Sequence, residues 1–285
     1  MGLYLGIDGG GTGCRAAISD ATGRILGRAQ GGPANINVDL DGAVAGILAA
    51  ATGAMAQAGA GPRDLVAVLG LAGGGMAAAA RAAESRLPFA RSLVVNDAVT
   101  AARGALGSED GILVAVGTGS VFAVQRGGVL TQRGGRGFLM GDEGGGAVLG
   151  RSLLSEAMRA GDGFAPDSPL LADLRSELGG FEGIIAFGNR AAPADFAAMA
   201  RRLVHHRDDP AAARILEDAT ARIAHAVAVL QQGGTLPVTC TGGLGPFYAE
   251  RLARDWTIRP PRGDGTDGAL AMARGLAADA EGARA

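Results

Sequence analysis

The stretch Leu3-Tyr4-Leu5-Gly6-Ile7-Asp8-Gly9-Gly10-Gly11-Thr12-Gly13 constrains this chain more than any other. An apolar run ends in a carboxylate and then meets a glycine-dense turn with one hydroxyl. A second short run follows, Cys14-Arg15-Ala16-Ala17-Ile18-Ser19-Asp20. The pattern predicts a β-hairpin whose turn carries chemistry. Three consecutive glycines exceed what a tight turn needs. They let backbone N–H groups line a concavity that suits phosphate oxygens. Asp8, at the end of the first strand, can hold a hydrated Mg²⁺, which takes oxygen ligands and keeps several waters. An ordinary tight hairpin is the plain alternative.

The rest of the chain bounds what such a turn could serve. Its 285 residues suffice for one large or two ordinary domains. A net charge of -2 gives no electrostatic case for nucleic acid. Cys14 and Cys240 lie far apart, with no CxxC or Cys/His cluster, so neither a zinc nor an iron–sulfur site is expected. The first residues lack a basic, apolar leader, and no uninterrupted apolar run matches a bilayer span. The expectation is a soluble, cytoplasmic protein without nucleic-acid or membrane partners.

Along the chain, Arg24 to Ala29 reads as a third strand, and Gly31 to Asn37 as a loop. Asp39 caps a helix to about Gly59, with Val44, Ile47, Leu48 and Met55 at helical spacing. Leu65–Leu71 is a continuous apolar run and so a buried strand. A helix to about Arg86 follows. Leu93 to Val95 is a strand closed by Asn96-Asp97, and a helix covers Ala98 to Ala105. Ile112 to Ser120 then repeats the opening: a strand, a glycine-hydroxyl turn, a return strand at Val121 to Gln125, and a third at Val129 to Thr131. The second copy lacks the strand-end carboxylate. This reads as an internal duplication of supersecondary structure. Helices are expected from about Ala147 to Ala160, Ser168 to Leu178, Pro193 to His206, Pro210 to about Gln232, Phe247 to Arg254 and Asp267 to about Ala278. Pro237 to Thr241 is a strand. The last five residues are expected to fray.

Each candidate site residue has a plain alternative. Asp97 can accept a proton from a hydroxyl attacking phosphorus, or it can cap the helix at Ala98. Gly117, Thr118 and Gly119 can supply donors to phosphate, or form a two-residue hairpin. Gly242-Gly243, between a buried strand and a helix, can let a nucleotide ring approach the backbone. Asn35 offers amide groups to a sugar hydroxyl, or serves a turn. Asp142 and Glu143 stand before a helix, where acidic groups are favourable in any case. Capping explains one of them but not the glycine loop before them. The histidines 205, 206 and 225 lie on expected helices without partner ligands.

Taken in order, Asp8-Gly9-Gly10-Gly11-Thr12, Asn96-Asp97, Gly117-Thr118-Gly119-Ser120, Gly141-Asp142-Glu143-Gly144 and Thr241-Gly242-Gly243 resemble the BadF/BadG/BcrA/BcrD ATPase family. That family lies in the sugar kinase/Hsp70/actin superfamily, and the chain is most similar to its glucosamine and N-acetylglucosamine kinases. The resemblance implies an α/β fold of two ribonuclease-H-like (actin-like ATPase) domains with a cleft between them. Residues 1–105, completed by a helix over 265–281, would form the first domain. Residues 106–264, with a helical insertion, would form the second. It further implies Asp97 as catalytic base and Asp8 as the Mg²⁺ carboxylate. Gly10, Gly11, Thr12, Gly117, Thr118 and Gly119 would hold ATP phosphates, with Gly242 and Gly243 beside the adenosine. Asn35, Asp97, Ser120, Gly135, Arg136, Gly137 and Asp142 match sugar-contact positions. Arg136 stands where animal N-acetylglucosamine kinases carry an aromatic residue.

The resemblance therefore implies an ATP- and Mg²⁺-dependent amino-sugar kinase acting on the 6-hydroxyl of glucosamine or N-acetylglucosamine, and a homodimer. Other readings are a kinase for N-acetylmuramate or glucose, or an ATPase that activates a partner enzyme. The family's dehydratase activators bridge subunits with an iron–sulfur cluster on paired cysteines, and this sequence offers no such pair. A sugar-responsive repressor would need a DNA-binding segment before the first strand, where Met1-Gly2 gives no expectation of one.

Overall fold

The computed structural model describes residues 2–282, with side chains described through residue 278. The expected fraying of residues 281–285 lies at or outside those limits. Two compact units form. One comprises residues 1–110, 125–132 and 260–285, and the other residues 111–124 and 133–259.

In the first unit, β1 (Leu3–Gly9), β2 (Cys14–Ser19), β3 (Ile25–Gly31), β4 (Leu65–Leu71) and β5 (Arg91–Asn96) form a sheet in the order β3-β2-β1-β4-β5. β1 runs antiparallel to β2 and parallel to β4, and β5 continues the parallel half. Helix α1 (Leu40–Ala58) is capped by Asp39, whose side chain accepts from the Gly42 N–H, and ends at left-handed Gly59. Its buried stripe, Ala43, Val44, Ile47, Ala50, Ala51 and Ala54, joins Leu5, Ile7, Ile18 and Leu69 in one core. One correction concerns this helix: by length and apolarity alone it could cross a membrane. Its buried face against the sheet marks it as the core helix of this unit. α2 (Ala77–Glu84) and α3 (Asp97–Leu106) follow their strands.

The last helix, α10 (Gly265–Gly282), returns to this unit and packs on α3, β1 and β4. Small residues make the approach possible. A Cβ on Gly104 would lie 1.8 Å from the Asp264 carbonyl oxygen, and one on Gly268 would lie 1.9 Å from that of Thr100. Ala269 and Ala273 are fully buried with Val68 in the resulting seam.

A second sheet is formed by β6 (Gly111–Val116), β7 (Ser120–Arg126), β8 (Val129–Gly134) and β9 (Val238–Thr241) in the order β8-β7-β6-β9, with β9 parallel to β6. This repeats β3-β2-β1-β4 and gives the duplication a topological form. Five helices, α4 (Gly146–Gly161), α5 (Pro169–Glu177), α6 (Gly180–Gly188), α7 (Pro193–His205) and α8 (Pro210–Gln231), precede β9, and α9 (Gly245–Leu252) follows it. Ser168 and Asp209 cap α5 and α8 through their side chains. α6 was not expected. Glycines at 179, 180, 183 and 188 hide it in the sequence, and only Ile184 is buried.

Candidate active site

The parallel half of the first sheet fixes where chemistry can occur. Gly9 is in register with Leu71, and Leu71 with Asn96. The turn after Asp8, the loop Ala72–Gly75 and the Asn96-Asp97 pair therefore leave the same sheet edge. Ligands of open α/β sheets bind beyond such carboxyl ends. Backbone bonds tie the loops together: Ala72 N–H donates to Gly9 (2.8 Å), Ile36 N–H to Ala72 (3.1 Å) and Ala34 N–H to Gly10 (2.8 Å). This stitching brings the loop that carries Asn35 to the turn that carries Thr12. Asn35 Oδ1 accepts from the Asn37 N–H at 3.1 Å, so its oxygen serves the turn and its amide nitrogen remains as a donor.

The glycines of the first turn divide by role. A Cβ on Gly9 would come within 2.7 Å of the Ala34 Cβ and 2.8 Å of Leu71 Cδ2, so packing demands that glycine. A Cβ on Gly11 would meet nothing within 4 Å. Gly11 and Thr12 are exposed. Neither packing nor a left-handed backbone requires Gly11, and the space beside it is open. A turn of this kind has room for a phosphate. Asp8 supplies an oxygen donor of the kind Mg²⁺ takes. Among the described residues no cluster of three or more His, Cys, Asp or Glu could hold a metal. A bound Mg²⁺ would therefore rest on this carboxylate, waters and substrate phosphates, its usual mode in phosphoryl-transfer sites.

Asp97 is half-buried at the first position of α3. Its neighbour Asn96 is the N-cap, accepting from the Ala98 N–H at 3.0 Å, so the capping role does not need Asp97. Asp97 Oδ1 shares that donor at 2.9 Å. Burial pushes the Asp97 carboxyl above its ordinary value, the Ala98 N–H holds it back, and the negative Asp8 adds to the rise. A carboxylate raised in this way is a better proton acceptor near neutral pH.

Sequence reasoning passed over Arg15. It faces Asp8 directly across the β1–β2 register, and its Nη2 donates to Asp8 Oδ2 at 2.6 Å. Counting back from the glycine turn would have found this cross-strand pair.

In the second unit, the turn Gly117-Thr118-Gly119 joins β6 to β7 and is tied to the head of α4. Gly146 N–H donates to Gly117 (2.8 Å) and Ala147 N–H to Thr118 (2.9 Å). Thr118 is exposed, and a Cβ on Gly117 would meet nothing within 4 Å. Asp142 has a left-handed backbone, φ 59°, which few residue types besides glycine tolerate. Its carboxylate takes the space a Cβ on Gly119 would need and accepts from the N–H groups of Gly137, at 3.2 Å, and Ser120. Burial pushes the Asp142 carboxyl up, and those two bonds restrain it. The Ser120 hydroxyl is buried and donates to the Glu143 carbonyl at 2.8 Å. Ser120 thus acts here by placing Asp142 and its loop. Gly135 and Gly137 have positive φ, and Arg136 between them is exposed. Tyr248, fully buried, donates to the Gly144 carbonyl at 2.6 Å and anchors the far end of this loop.

The two glycines after β9 also differ. Gly242 has φ 85°, and a Cβ there would stand 2.3 Å from the Val116 carbonyl oxygen. Gly243 has open space around it. The first lets the chain turn over β6, and the second leaves the backbone approachable. The three histidines are exposed.

Residues 5–252 match the BadF/BadG/BcrA/BcrD ATPase family. The chain belongs to this family. Glucosamine kinase GspK of Vibrio cholerae is 33% identical over 287 residues, covering 96% of each chain. A solved structure from Chromobacterium violaceum, assigned as an N-acetylglucosamine kinase, superposes with a TM-score of 0.87 at 32% identity, covering 96% of this chain and 99% of that one. A ROK family glucokinase from Streptomyces griseus, solved with glucose and AMPPNP, shares the fold at a TM-score of 0.58 and 20% identity, covering 96% and 99%. The fold is thus the α/β architecture of actin-like ATPases and sugar kinases.

Proposed function

We propose that this chain, an alcohol-acceptor phosphotransferase, passes the γ-phosphate of ATP to the 6-hydroxyl of glucosamine or N-acetylglucosamine. The observation that carries the mechanism is Asp97, a half-buried carboxylate of raised pKa on the sheet edge that also bears Asp8 and an open glycine turn. Asp97 takes the proton of the sugar hydroxyl as its oxygen attacks the γ-phosphorus. The bond from that phosphorus to the bridging oxygen breaks, leaving ADP and the sugar 6-phosphate. Gly10, Gly11, Thr12, Gly117, Thr118 and Gly119 are proposed to line the phosphates; the N–H groups of Gly10 and Gly117 close their own turns onto Gly13 and Gly119, so donors would come from the other four, and Gly242 and Gly243 would give an approach for the adenosine. Asp8 would hold Mg²⁺ through water, and when bound the ion neutralises phosphate charge. Asn35, Asp142 and the Gly135-Arg136-Gly137 loop, with Ser120 behind Asp142, are proposed to orient the sugar. A cytoplasmic location belongs to the same reading.

A homodimer is part of this proposal, and α6 is the surface offered. Phe181 and Ile185 are 39% and 53% exposed, and Glu182 and Ala186 beside them are exposed as well.

The deciding experiment measures ATP consumption and sugar phosphate formation with glucosamine, N-acetylglucosamine, N-acetylmuramate, glucose and no sugar. Turnover with one amino sugar is expected. Equal ATP hydrolysis in every well without sugar phosphate would replace this reading with an ATPase that drives a partner protein.

A further inference from the structure

We propose that Arg15 is the resident counter-ion of Asp8, and that it keeps free divalent cations off this carboxylate until a metal–nucleotide complex arrives. The inference rests on the reading of Asp8 as the Mg²⁺ carboxylate. Arg15 and Asp8 are register partners across the hairpin, so the strands themselves hold the pair together. Nη2 of Arg15 sits 2.6 Å from Asp8 Oδ2, and Nη1 lies 3.7 Å from Asp264 Oδ2. One guanidinium thus answers two carboxylates.

The two carboxylates are held more closely by their surroundings than the cation is. Asp264 spends Oδ1 on the N–H groups of Thr266 and Asp267 at the head of α10. Asp8 packs close against Gly265, where an added Cβ would stand 2.7 Å from Asp8 Cγ. The Asp8 side chain is 20% exposed and that of Arg15 is 55% exposed. Arg15 can therefore swing toward solvent or toward a phosphate while Asp8 keeps its place. A free divalent cation must displace the guanidinium and then sits beside its charge. A metal–nucleotide complex instead brings anionic oxygens that give Arg15 a new bidentate partner. The loading order follows: nucleotide and metal together, not metal first.

Binding of free Mn²⁺, a spectroscopic probe for the Mg²⁺ site, measured by electron paramagnetic resonance without nucleotide, tests this. Wild type, Arg15→Met, Arg15→Gln, Arg15→Lys and Asp8→Asn are compared, each checked for folding by circular dichroism. Arg15→Met and Arg15→Gln should bind Mn²⁺ about three- to tenfold more tightly, the size of one partly exposed charge contact. Arg15→Lys should stay near wild type. Unchanged, weaker or absent Mn²⁺ binding by the folded neutral variants, with Asp8→Asn still losing the wild-type site, would overturn the role of Arg15 alone. Wild-type Mn²⁺ binding by Asp8→Asn would instead overturn the reading of Asp8.

Discussion

Gly119 lacks a side chain where the carboxylate of Asp142 lies: an added Cβ would stand 2.3 Å from Asp142 Oδ2. The turn proposed for phosphate and the acid proposed for sugar are thus packed into one another. Gly119→Ala should push Asp142 off its two N–H donors. A hydrogen bond to a charged group is worth about 1.5–3 kcal/mol. The KM for the sugar should then rise roughly ten- to hundredfold. Steady-state kinetics at saturating MgATP checks this, and an unaltered sugar KM would detach Asp142 from the sugar.

Asp97→Asn removes the proposed base without changing shape. General-base catalysis contributes roughly 10²–10⁴-fold. Turnover should fall by that range while nucleotide binding, read by calorimetry, stays near wild type. Residual turnover above about a hundredth would remove Asp97 from the role of base.

The raised pKa of Asp97 gives two pH signatures. The base must be ionised to work, so the acidic limb of kcat/KM should lie above the ordinary carboxylate value of about 4. Stability carries the opposite sign. The fold raises this pKa, so ionisation of Asp97 opposes folding at pH above the ordinary carboxylate range, and the penalty fades as the pH falls below it. Asp97→Asn should therefore melt at or above the wild-type temperature at pH 7. A lower melting temperature would show that the ionised carboxylate contributes to the fold.

Tyr248→Phe tests the anchor of the Asp142 loop. It leaves the buried Gly144 carbonyl without its 2.6 Å donor. An unsatisfied buried group costs about 1–3 kcal/mol. Chemical denaturation should show that loss, and sugar KM should rise with it. Wild-type stability would mean that another donor replaces the hydroxyl.

The exposed apolar side of α6 makes its own prediction. Ile185→Glu places a charge on the surface offered to a second copy. Sedimentation equilibrium should show a wild-type dimer and a largely monomeric variant. A variant dimer as tight as wild type would clear α6 of this role.

Much of the fold was legible in the sequence because the signals are local. Leu65–Leu71 reads as a buried strand from its unbroken apolar run, and the structure places β4 there. Asp39 and Gly59 bound α1 because capping and the left-handed turn depend on neighbours a few residues away. The repeated glycine-hydroxyl turns announced two similar sheets for the same reason. α6 escaped because glycines erase propensity and a one-sided apolar stripe in nine residues carries no cap.

Other features required the tertiary structure, since they depend on contacts between distant residues. Whether a glycine is demanded by packing or leaves room for a ligand cannot be read from the letter G. Gly9 meets Ala34 and Leu71, whereas Gly11 meets nothing. The seam between α3 and α10 joins residues over 150 positions apart, through Gly104 and Gly268. The sequence by itself determined the strands, the caps and the order of the motifs. Only tertiary packing decided that Asp97 is a half-buried carboxyl of raised pKa, that Asp142 is held by two amides, and that Arg15 occupies Asp8. Burial and charge proximity set these properties, and both arise from the folded chain as a whole.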